Sequence, residues 1–281
     1  MKRIENKTFD EERALYNLKD STIYHCTFKG PKDGESALKE SRNIIVDNCL
    51  FALRYPLWHV KKYELKDSLM EDTTRAPLWY CQDGVIKNCH LYGVKMLRES
   101  DNTTIDNCEI ISPEFGWWTR DSRIKDSKIT SEYIFLNSRN IRWENIHFTG
   151  KYSFQYCENV VIRNSILDTK DAFWHAKDVT VYDSIIKGEY LAWFSQNLTL
   201  INCKIIGTQP LCYCENLKLI NCETEDCDLA FEYSSVDADI NGHIISIKNP
   251  KEGIIKVDSV DEIINEDAVM EINGQVIIKN K

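Results

Sequence analysis

Two neighbouring stretches of the sequence decide the fold class: Asn197-Leu198-Thr199-Leu200-Ile201-Asn202-Cys203 and Asn216-Leu217-Lys218-Leu219-Ile220-Asn221-Cys222. They share one pattern and begin 19 residues apart. Between the two asparagines of each stretch, leucines alternate with other residues, which is the period of a β-strand with one buried face. A strand that returns at a fixed spacing indicates a repeat protein whose turns stack on one another.

The repeat extends over most of the chain as two polar columns. Between Asn88 and Asn221 the first column recurs every 19 residues, and the second column precedes it by five residues, interrupted at Lys62. The first column contains His25, Asn48, Asp67, Asn88, Asn107, Asp126, Asn145, Asn164, Asp183, Asn202 and Asn221. The second contains Asn43, Asp83, Asn102, Asp121, Asn140, Asn159, Asp178, Asn197 and Asn216. Six of the eleven cysteines directly follow the first column: Cys26, Cys49, Cys89, Cys108, Cys203 and Cys222.

These columns predict an all-β fold, a single-stranded right-handed parallel β-helix of about twelve coils of ~19 residues with Asn/Asp and Cys/Ser ladders. Stacked coils place equivalent residues about 4.8 Å apart, so side-chain amides can hydrogen-bond along the stack. We therefore expect the column residues, including Asn102 and Asn197, to be internal. The right-handedness follows from the strong preference of parallel crossovers. A leucine-rich repeat would need its own leucine signature, which the sequence lacks.

The ends of the chain depart from the pattern, and the sequence contains no linker. We predict one β-helix domain over residues 1–281, with an N-terminal cap at 1–20 and regular coils at 21–235. Residues 236–281 keep strand-like phrases but lose the ladder, which predicts irregular last coils and a C-terminal cap. Caps are expected because an open end of a β-helix would pair with other strands.

Composition narrows the class of partner. A net charge of −9 disfavours nucleic acid, because phosphate recognition depends on a basic surface. No apolar run reaches the ~20 residues of a membrane span, and the first residues lack a signal-peptide stretch, so we predict a cytoplasmic protein without membrane contact. The odd count of eleven cysteines then predicts reduced thiols. We predict no cofactor and no metal, since Cys212-x-Cys214 has no second pair at zinc spacing.

Four phrases resemble a known family: Asp33-Gly34-Glu35-Ser36-Ala37-Leu38-Lys39-Glu40, Tyr55-Pro56-Leu57-Trp58, Asp171-Ala172-Phe173-Trp174 and Leu229-Ala230-Phe231-Glu232-Tyr233. The chain resembles an uncharacterised bacterial domain-of-unknown-function family of small right-handed parallel β-helix proteins within the pectin-lyase-like class. The resemblance covers nearly the whole chain and implies the fold and a bacterial cytoplasmic setting. It implies no established activity and no catalytic residues.

Aromatic residues form two adjacent columns on the segment that leads to the second polar column. The inner column reads Trp58, Trp79, Arg98, Trp117, Leu136, Gln155, Trp174, Trp193, Cys212 and Phe231. The outer column, one residue later, reads His59, Tyr80, Glu99, Trp118, Asn137, Tyr156, His175, Phe194, Tyr213 and Glu232. Strand alternation predicts that only one column faces solvent, and the outer column is the better candidate. The predicted core beside them contains Leu78, Leu97, Phe135, Phe154, Phe173 and Leu211.

An exposed stripe of aromatic rings suits sugar rings, through apolar contact and polar edges. We therefore expect an intracellular carbohydrate-binding or carbohydrate-active protein whose partner is an oligosaccharide or a sugar acid. The predicted sugar contacts are Trp79, Trp117, Trp118, Tyr156, Trp174, His175 and Trp193. The alternative is a non-catalytic scaffold whose stripe binds protein, or whose tryptophans only fill a wide coil.

One compact set of residues could act in catalysis: His59, Tyr80, Arg98 and Glu99. The set combines a base, an acid and an anion-binding group. His175 beside Tyr156 is a second candidate for catalysis. The alternative is that the residues of both sets are ordinary surface residues without a catalytic role. Because Arg98 and Glu99 are sequence neighbours, a flat strand would direct them apart, and a bulge would be needed to bring them to one cleft.

Overall fold

The computed structural model describes residues 1–30 and 35–279. Within these ranges all regular secondary structure is β-strand, and the chain divides into two compact units, Met1–Arg142 and Trp143–Lys281. The described chain contains no helix long and apolar enough to cross a membrane.

The strands of the first unit are β1 (Lys2–Glu5), β2 (Thr8–Phe9), β3 (Lys19–Tyr24), β4 (Thr27–Phe28), β5 (Arg42–Asp47), β6 (Leu50–Phe51), β7 (Lys61–Lys66), β8 (Leu69–Met70), β9 (Gln82–Lys87), β10 (His90–Tyr92), β11 (Asp101–Asp106), β12 (Glu109–Ile111) and β13 (Arg120–Glu132). The boundary between the units falls within β14 (Arg139–Lys151). The second unit continues with β15 (Glu158–Arg163), β16 (Ile166–Asp168), β17 (Lys177–Tyr182), β18 (Ile185–Lys187), β19 (Gln196–Ile201), β20 (Lys204–Ile206), β21 (Leu217–Glu225), β22 (Ser235–Lys248), β23 (Glu252–Ile264) and β24 (Gln275–Ile278).

Each strand pairs in parallel with the equivalent strand one turn away. Thr103 of β11 lies opposite Gly84 of β9 and Ser122 of β13. In the second unit, β17 pairs in the same way with β15 and β19. Both units are therefore parallel β-solenoids, and the predicted fold class is confirmed, with about fourteen turns rather than about twelve.

The ends of the chain contain turns that the sequence pattern does not reveal. Ile4 of β1 lies opposite Ile23 of β3, so the segment predicted as an N-terminal cap contains the first turn. At the other end, β22, β23 and β24 continue the parallel pairing, with a register shift between Ile240 and His243. Side-chain contacts between turns also continue to both ends, with His25 Nδ1 2.8 Å from Asn6 Oδ1 and Asn241 Nδ2 donating to Asn221 Oδ1 at 2.7 Å, so the first polar column is longer than the sequence pattern indicates.

The polar columns lie at sharp corners with left-handed backbone. The dihedral angle φ is 53° at Asn88 and 51° at Asn102 and Asn107. Asn and Asp tolerate this conformation better than most residues, which explains their recurrence. Both Asn102 and Asn197 are exposed, so the expectation that they are internal is wrong. Successive turns are joined by side chains, with Asn107 Nδ2 donating to Asn88 Oδ1 at 2.9 Å and Asn216 Nδ2 to Asn197 Oδ1 at 2.8 Å.

The core contains all eleven cysteines, which are free and buried, as predicted. Cys81 Sγ donates to Leu57 O at 2.7 Å, and Cys214 Sγ donates to Ala192 O at 3.1 Å. Burial raises the pKa of Cys81 to about 12 and that of Cys214 to about 11. These two thiols are therefore protonated packing groups rather than nucleophiles.

The segment with the aromatic columns is a series of tight turns instead of the expected flat strand. In residues 152–156, φ is 57° at Tyr152 and Phe154 and 56° at Tyr156. Phe154 is buried, Gln155 is half-buried and Tyr156 is exposed. The left-handed residues turn the backbone so that two successive side chains face outward. The outer column is the more exposed, as expected, but the tryptophans of the inner column are half-buried at the surface rather than in the core, which corrects the expectation that only one column would reach solvent; Cys212 of the inner column is buried. All six predicted core residues beside them are fully buried.

Candidate functional site

The first unit presents an aromatic and charged surface built from the two columns. We call it the first-unit surface; its inner column is Lys39, Trp58, Trp79, Arg98 and Trp117, and its outer column is Glu40, His59, Tyr80, Glu99 and Trp118. Every outer residue has positive φ, from 49° at Glu99 to 63° at Glu40. This backbone places both columns on one face, so the predicted set His59, Tyr80, Arg98 and Glu99 is brought together with Trp79, Trp117 and Trp118.

Arg98 lies at the centre of the first-unit surface. Its guanidinium carbon is 5.7 Å from the ring centroid of Trp79, 5.3 Å from that of Trp117 and 4.7 Å from that of Trp118. Its nitrogens lie 3.7 Å from Glu99 Oε1 and 3.9 Å from Glu114 Oε2. The side chain is only 18% exposed, and its Nε is buried without a hydrogen-bond acceptor among the described residues. The positive φ of Glu99 turns the backbone at this point, so Arg98 and Glu99 reach the same face without the β-bulge that we expected from the sequence.

The polar groups beside Arg98 are held in a chain of contacts. His59 Nδ1 lies 2.9 Å from Glu40 Oε1, and the rings of His59 and Tyr80 are 4.9 Å apart. Trp79 Nε1 donates to Glu99 Oε1 at 3.3 Å. Burial, the charge of Glu99 and a hydrogen bond to it raise the pKa of Tyr80, so its phenol is a donor near neutral pH. The surface therefore offers a hydroxyl donor, a carboxylate and an imidazole within two turns.

The indole rings of this surface are fixed at their edges and faces. Trp58 and Trp79 stack at 5.5 Å with an interplanar angle of 10°, and Lys39 Nζ lies 3.9 Å from the Trp58 centroid. Trp117 Nε1 donates to Tyr133 O, and Trp117 meets Trp118 edge to face at 5.4 Å. Trp118 is 40% exposed. Stacking covers the faces of Trp58 and Trp79, so the ring surface offered to a ligand comes mainly from Tyr80 and Trp118.

The second unit continues the outer column as a ladder of stacked rings. We call Tyr156, His175, Phe194 and Tyr213 the second-unit ladder. Their successive centroids are 4.9, 5.0 and 4.8 Å apart, with interplanar angles of 8°, 8° and 14°. The ring faces therefore cover one another, and the exposed parts are ring edges. The predicted residues Tyr156 and His175 lie in this ladder.

The inner column of the second unit is also stacked. Trp174 and Trp193 lie 5.5 Å apart with an angle of 2°. Their Nε1 atoms donate to Tyr190 O and Gln209 O, each at 2.8 Å. The indole faces are turned toward each other, so these predicted sugar contacts offer little open ring surface.

Some residues of the two surfaces were not identified from the sequence. Lys39 and Glu40 lie 19 residues before Trp58 and His59, so the repeat spacing itself was a sufficient signal. In the last turn of the ladder Tyr213 N donates to Glu232 O, which places Glu232 in the inner column and Tyr233 in the outer one. The sequence alignment of Phe231 and Glu232 was therefore one residue out of register, because this turn contains an extra residue.

A Ser-His-Asp contact in the second unit was not anticipated either. His243 Nδ1 lies 3.0 Å from Ser259 Oγ, and His243 Nε2 lies 3.1 Å from Asp261 Oδ2. The Asp261 side chain is 68% exposed, whereas a catalytic triad uses a buried carboxylate to orient its histidine. The adjacent Gly242 N–H donates to Asp258 Oδ2, so it is not available as an oxyanion donor. We interpret this group as a surface contact.

Two grooves follow the first polar column. The larger, of about 540 Å³, lies in the first unit beside His25, Asn48, Asp67, Asn88 and His90. The smaller, of about 360 Å³, lies in the second unit beside Asp183, Asn202, Lys204 and Asn221. In both grooves corner side chains bond across turns, as Asn88 Nδ2 does to Asp67 Oδ1 and Asn202 Nδ2 to Asp183 Oδ1. The described residues contain no group of three or more His, Cys, Asp or Glu side chains that could hold a metal ion.

Comparison with known proteins gives a family but no activity. No curated protein matches the chain. Among solved structures, the chain is 12% identical to PfbA, a surface adhesin of Streptococcus pneumoniae, covering 77% of this chain and 71% of that one with a TM-score of 0.40. A tailspike double mutant of E. coli bacteriophage HK620 is 9% identical over 93% of this chain, with a TM-score of 0.48; the chain spans 60% of its length.

A third structure is the A-module of the mannuronan C-5 epimerase AlgE4 of Azotobacter vinelandii, 10% identical, covering 98% of this chain and 89% of that one with a TM-score of 0.31. These similarities are too distant to assign a ligand. The family match is different in kind, because it extends over residues 2–278. The resemblance seen in the sequence is confirmed, and the chain belongs to the family described as Protein of unknown function (DUF3737).

Proposed function

We propose that the protein binds a carbohydrate, an oligosaccharide or a sugar acid, on the first-unit surface. One observation carries the proposal: exposed rings and polar groups share a single rigid face, with Trp118 and Tyr80 open to solvent beside Arg98, Glu99 and His59. Sugar rings combine apolar faces with hydroxyl edges, and such a face matches both.

Individual residues then take separate roles. Trp118 and Tyr80 contact the faces of sugar rings, while Glu99 and His59 accept hydrogen bonds from hydroxyls. The Arg98 guanidinium pairs with the carboxylate of a sugar acid, which has the geometry that arginine recognises best. The same positions allow His59 or Glu99 to transfer a proton in a carbohydrate-active protein.

The carboxylates of the outer column are not spaced for glycoside hydrolysis. Along the outer column, Glu40 and Glu99 are separated by three turns, or about 14 Å at the spacing of stacked strands. Hydrolysis requires two carboxyl groups roughly 5–9.5 Å apart. The outer column therefore supplies recognition groups without a hydrolytic pair.

Calorimetric titration with a panel of neutral oligosaccharides and sugar acids tests the proposal. We expect Trp118→Ala to weaken binding roughly 10- to 100-fold, as removal of a central aromatic anchor does. Phe194→Ala is the matched control, because Phe194 is 41% exposed and lies in the second unit. Unchanged binding in Trp118→Ala, Glu99→Gln and His59→Ala, or equal loss in the control, would refute the assignment.

A second candidate function is protein binding through the second-unit ladder. The observation that favours it is a continuous row of exposed ring edges on consecutive turns, since exposed aromatic patches are typical of protein interfaces. A photo-crosslinking amino acid at position 194 should then give a discrete crosslinked product in cells. The same probe at position 166, where Ile166 is similarly exposed, is the control and should give none.

A further inference from the structure

One column of the core in the first unit changes character over four consecutive turns. Its members are the third residues of β7, β9, β11 and β13, which lie opposite one another in the parallel register: Tyr63, Gly84, Thr103 and Ser122. The same strand position is apolar in the second unit, where β15, β17 and β19 carry Val160, Val179 and Leu198. Tyr63 is 3% exposed and Thr103 and Ser122 are each 1% exposed, so three hydroxyl groups lie inside the first unit.

The three hydroxyl groups have no hydrogen-bond partner among the described residues. The strand position alone does not cause this, because Ser21, the third residue of β3, donates its hydroxyl to Lys19 O at 2.6 Å. Buried polar groups without a partner are unfavourable, and native proteins pair nearly all of them. Three unpaired hydroxyls in one column therefore indicate that a small polar molecule lies among them.

Gly84 lets the phenol of Tyr63 extend along the column. A Cβ atom at residue 84 would overlap Cζ and Oη of Tyr63, so the tyrosine ring lies directly over the glycine. The phenol hydroxyl thereby comes close to Thr103 on the following turn, without forming a hydrogen bond of normal geometry to it. Burial, assisted by the charge of Cys81, raises the pKa of Tyr63 well above its ordinary value, while the Thr103 hydroxyl lowers it. The phenol is therefore protonated and can donate a hydrogen bond.

The spacing of the turns suits a bridge between Thr103 and Ser122 rather than a direct contact. The two residues lie opposite each other in β11 and β13, and equivalent atoms of stacked strands are about 4.8 Å apart. This separation is too long for a hydrogen bond between two hydroxyls. A water molecule that forms two hydrogen bonds of about 2.8 Å at a tetrahedral angle spans about 4.6 Å. Water therefore matches the distance between the turns.

We propose that the first unit holds an internal water molecule that bridges Tyr63 Oη, Thr103 Oγ1 and Ser122 Oγ. Three hydrogen bonds are the usual number for a buried water. The three hydroxyls are uncharged and can each donate or accept, which suits water rather than an ion. The bridge joins the turns that support the first-unit surface, because the members of the column each follow by four residues an outer-column position: His59, Tyr80, Glu99 and Trp118.

Magnetic relaxation dispersion of solvent nuclei tests the proposal, because it detects water molecules that stay inside a protein for longer than the protein takes to tumble. The native chain should hold at least one more long-lived water than the double variant Thr103→Val/Ser122→Ala, which lacks two of the three hydroxyls. Thr103→Ser keeps a hydroxyl and should retain the water. Ser21→Ala is the matched control, because it removes a hydroxyl of the same column that already has a backbone acceptor. Equal numbers of long-lived waters in the native chain and the double variant, or an equal loss in Ser21→Ala, would overturn the proposal.

The midpoint of urea denaturation gives a second test, in which the sign of the change decides. Valine has the shape of threonine without its hydroxyl. If water pairs with the Thr103 hydroxyl, Thr103→Val should lower the midpoint, whereas removal of an unpaired buried hydroxyl should raise it. A raised midpoint would contradict the bridge. A lowered midpoint with an unchanged number of long-lived waters would also contradict it, because Thr103 would then bond directly to a protein group. Both measurements are made without sugar, so they do not depend on the proposed function.

Discussion

The first-unit surface and the second-unit ladder are built on the same backbone turn, yet they present different chemistry. In the second-unit ladder four consecutive turns carry flat rings, which stack and cover each other's faces. In the first-unit surface Arg98 and Glu99 interrupt the rings, and Arg98 spreads over three indoles instead. The charged turn therefore distinguishes the first-unit surface, in which rings alternate with charged and polar side chains, from a ladder made of stacked rings alone.

Substitutions in the core beneath the two surfaces should lower stability by similar amounts, and these losses should be the largest effects. Leu97 and Phe173 occupy the same buried position in the two units. Cavity formation should lower the free energy of unfolding by about 2–5 kcal/mol in Leu97→Ala and about 3–5 kcal/mol in Phe173→Ala. Urea denaturation measures both. Leu97→Met preserves volume and should cost less than about 1.5 kcal/mol; a similar loss in all three variants would contradict a well-packed core.

Interrupting the second-unit ladder should make it resemble the first-unit surface. His175 stacks on Tyr156 and on Phe194. His175→Glu removes both contacts and should lower the free energy of unfolding by about 1–3 kcal/mol, given the usual value of an aromatic pair. His175→Phe retains a ring and should leave stability close to native. Equal destabilisation by both substitutions would show that stacking is not the stabilising interaction.

Removing the cation should change the first-unit surface in stability and in selectivity. Arg98→Met should lower stability by about 1–2 kcal/mol through the loss of cation–π contacts. Affinity for a sugar acid should fall more than affinity for a neutral sugar of the same size. Arg98→Lys retains the charge but not the planar stacking, so it should preserve part of the acid preference. Titration of both ligand types against the three proteins distinguishes these cases.

The smallest expected effect is a pH dependence that differs between the two surfaces. Burial and the neighbouring Glu232 raise the pKa of Tyr213 to about 12. A raised pKa in the folded state favours the protonated phenol, so this stabilisation is complete below the ordinary value of about 10 and is lost as pH rises toward 12. Absorbance titration should show one late-titrating tyrosine fewer in Tyr213→Phe than in the native chain, while the buried Tyr63, whose pKa is also raised, titrates late in both proteins. Loss of this phenol proton near pH 10 would contradict the assignment.

The sequence predicts the repeat and the core well, because both depend on residue type at a fixed spacing. The columns through Asn88 and Asn107 reveal the turn length, and Leu97 and Phe173 are buried as expected. The orientation of the aromatic columns could not be predicted, since it depends on left-handed backbone at Tyr80, Glu99 and Trp118, which are not residue types that mark such a conformation. The cytoplasmic location stays a prediction.

The exposure of the ladder asparagines was mispredicted for a related reason. A recurring amide suggests an internal hydrogen-bonded stack, and hydrogen bonds between turns are present. Their cause is the left-handed corner, which Asn tolerates in solvent as well as in a core. The sequence pattern identifies the positions that form the ladder, but it does not show whether their side chains point into the core or into solvent.

The parallel register has a consequence for how this chain can change in length. Val160, Val179 and Leu198 lie opposite one another on successive turns. Excision of residues 178–196, which is one whole turn, would bring Val160 opposite Leu198 and leave every column intact. Insertion of one further turn of this length would likewise preserve the register and would add one residue to each aromatic column.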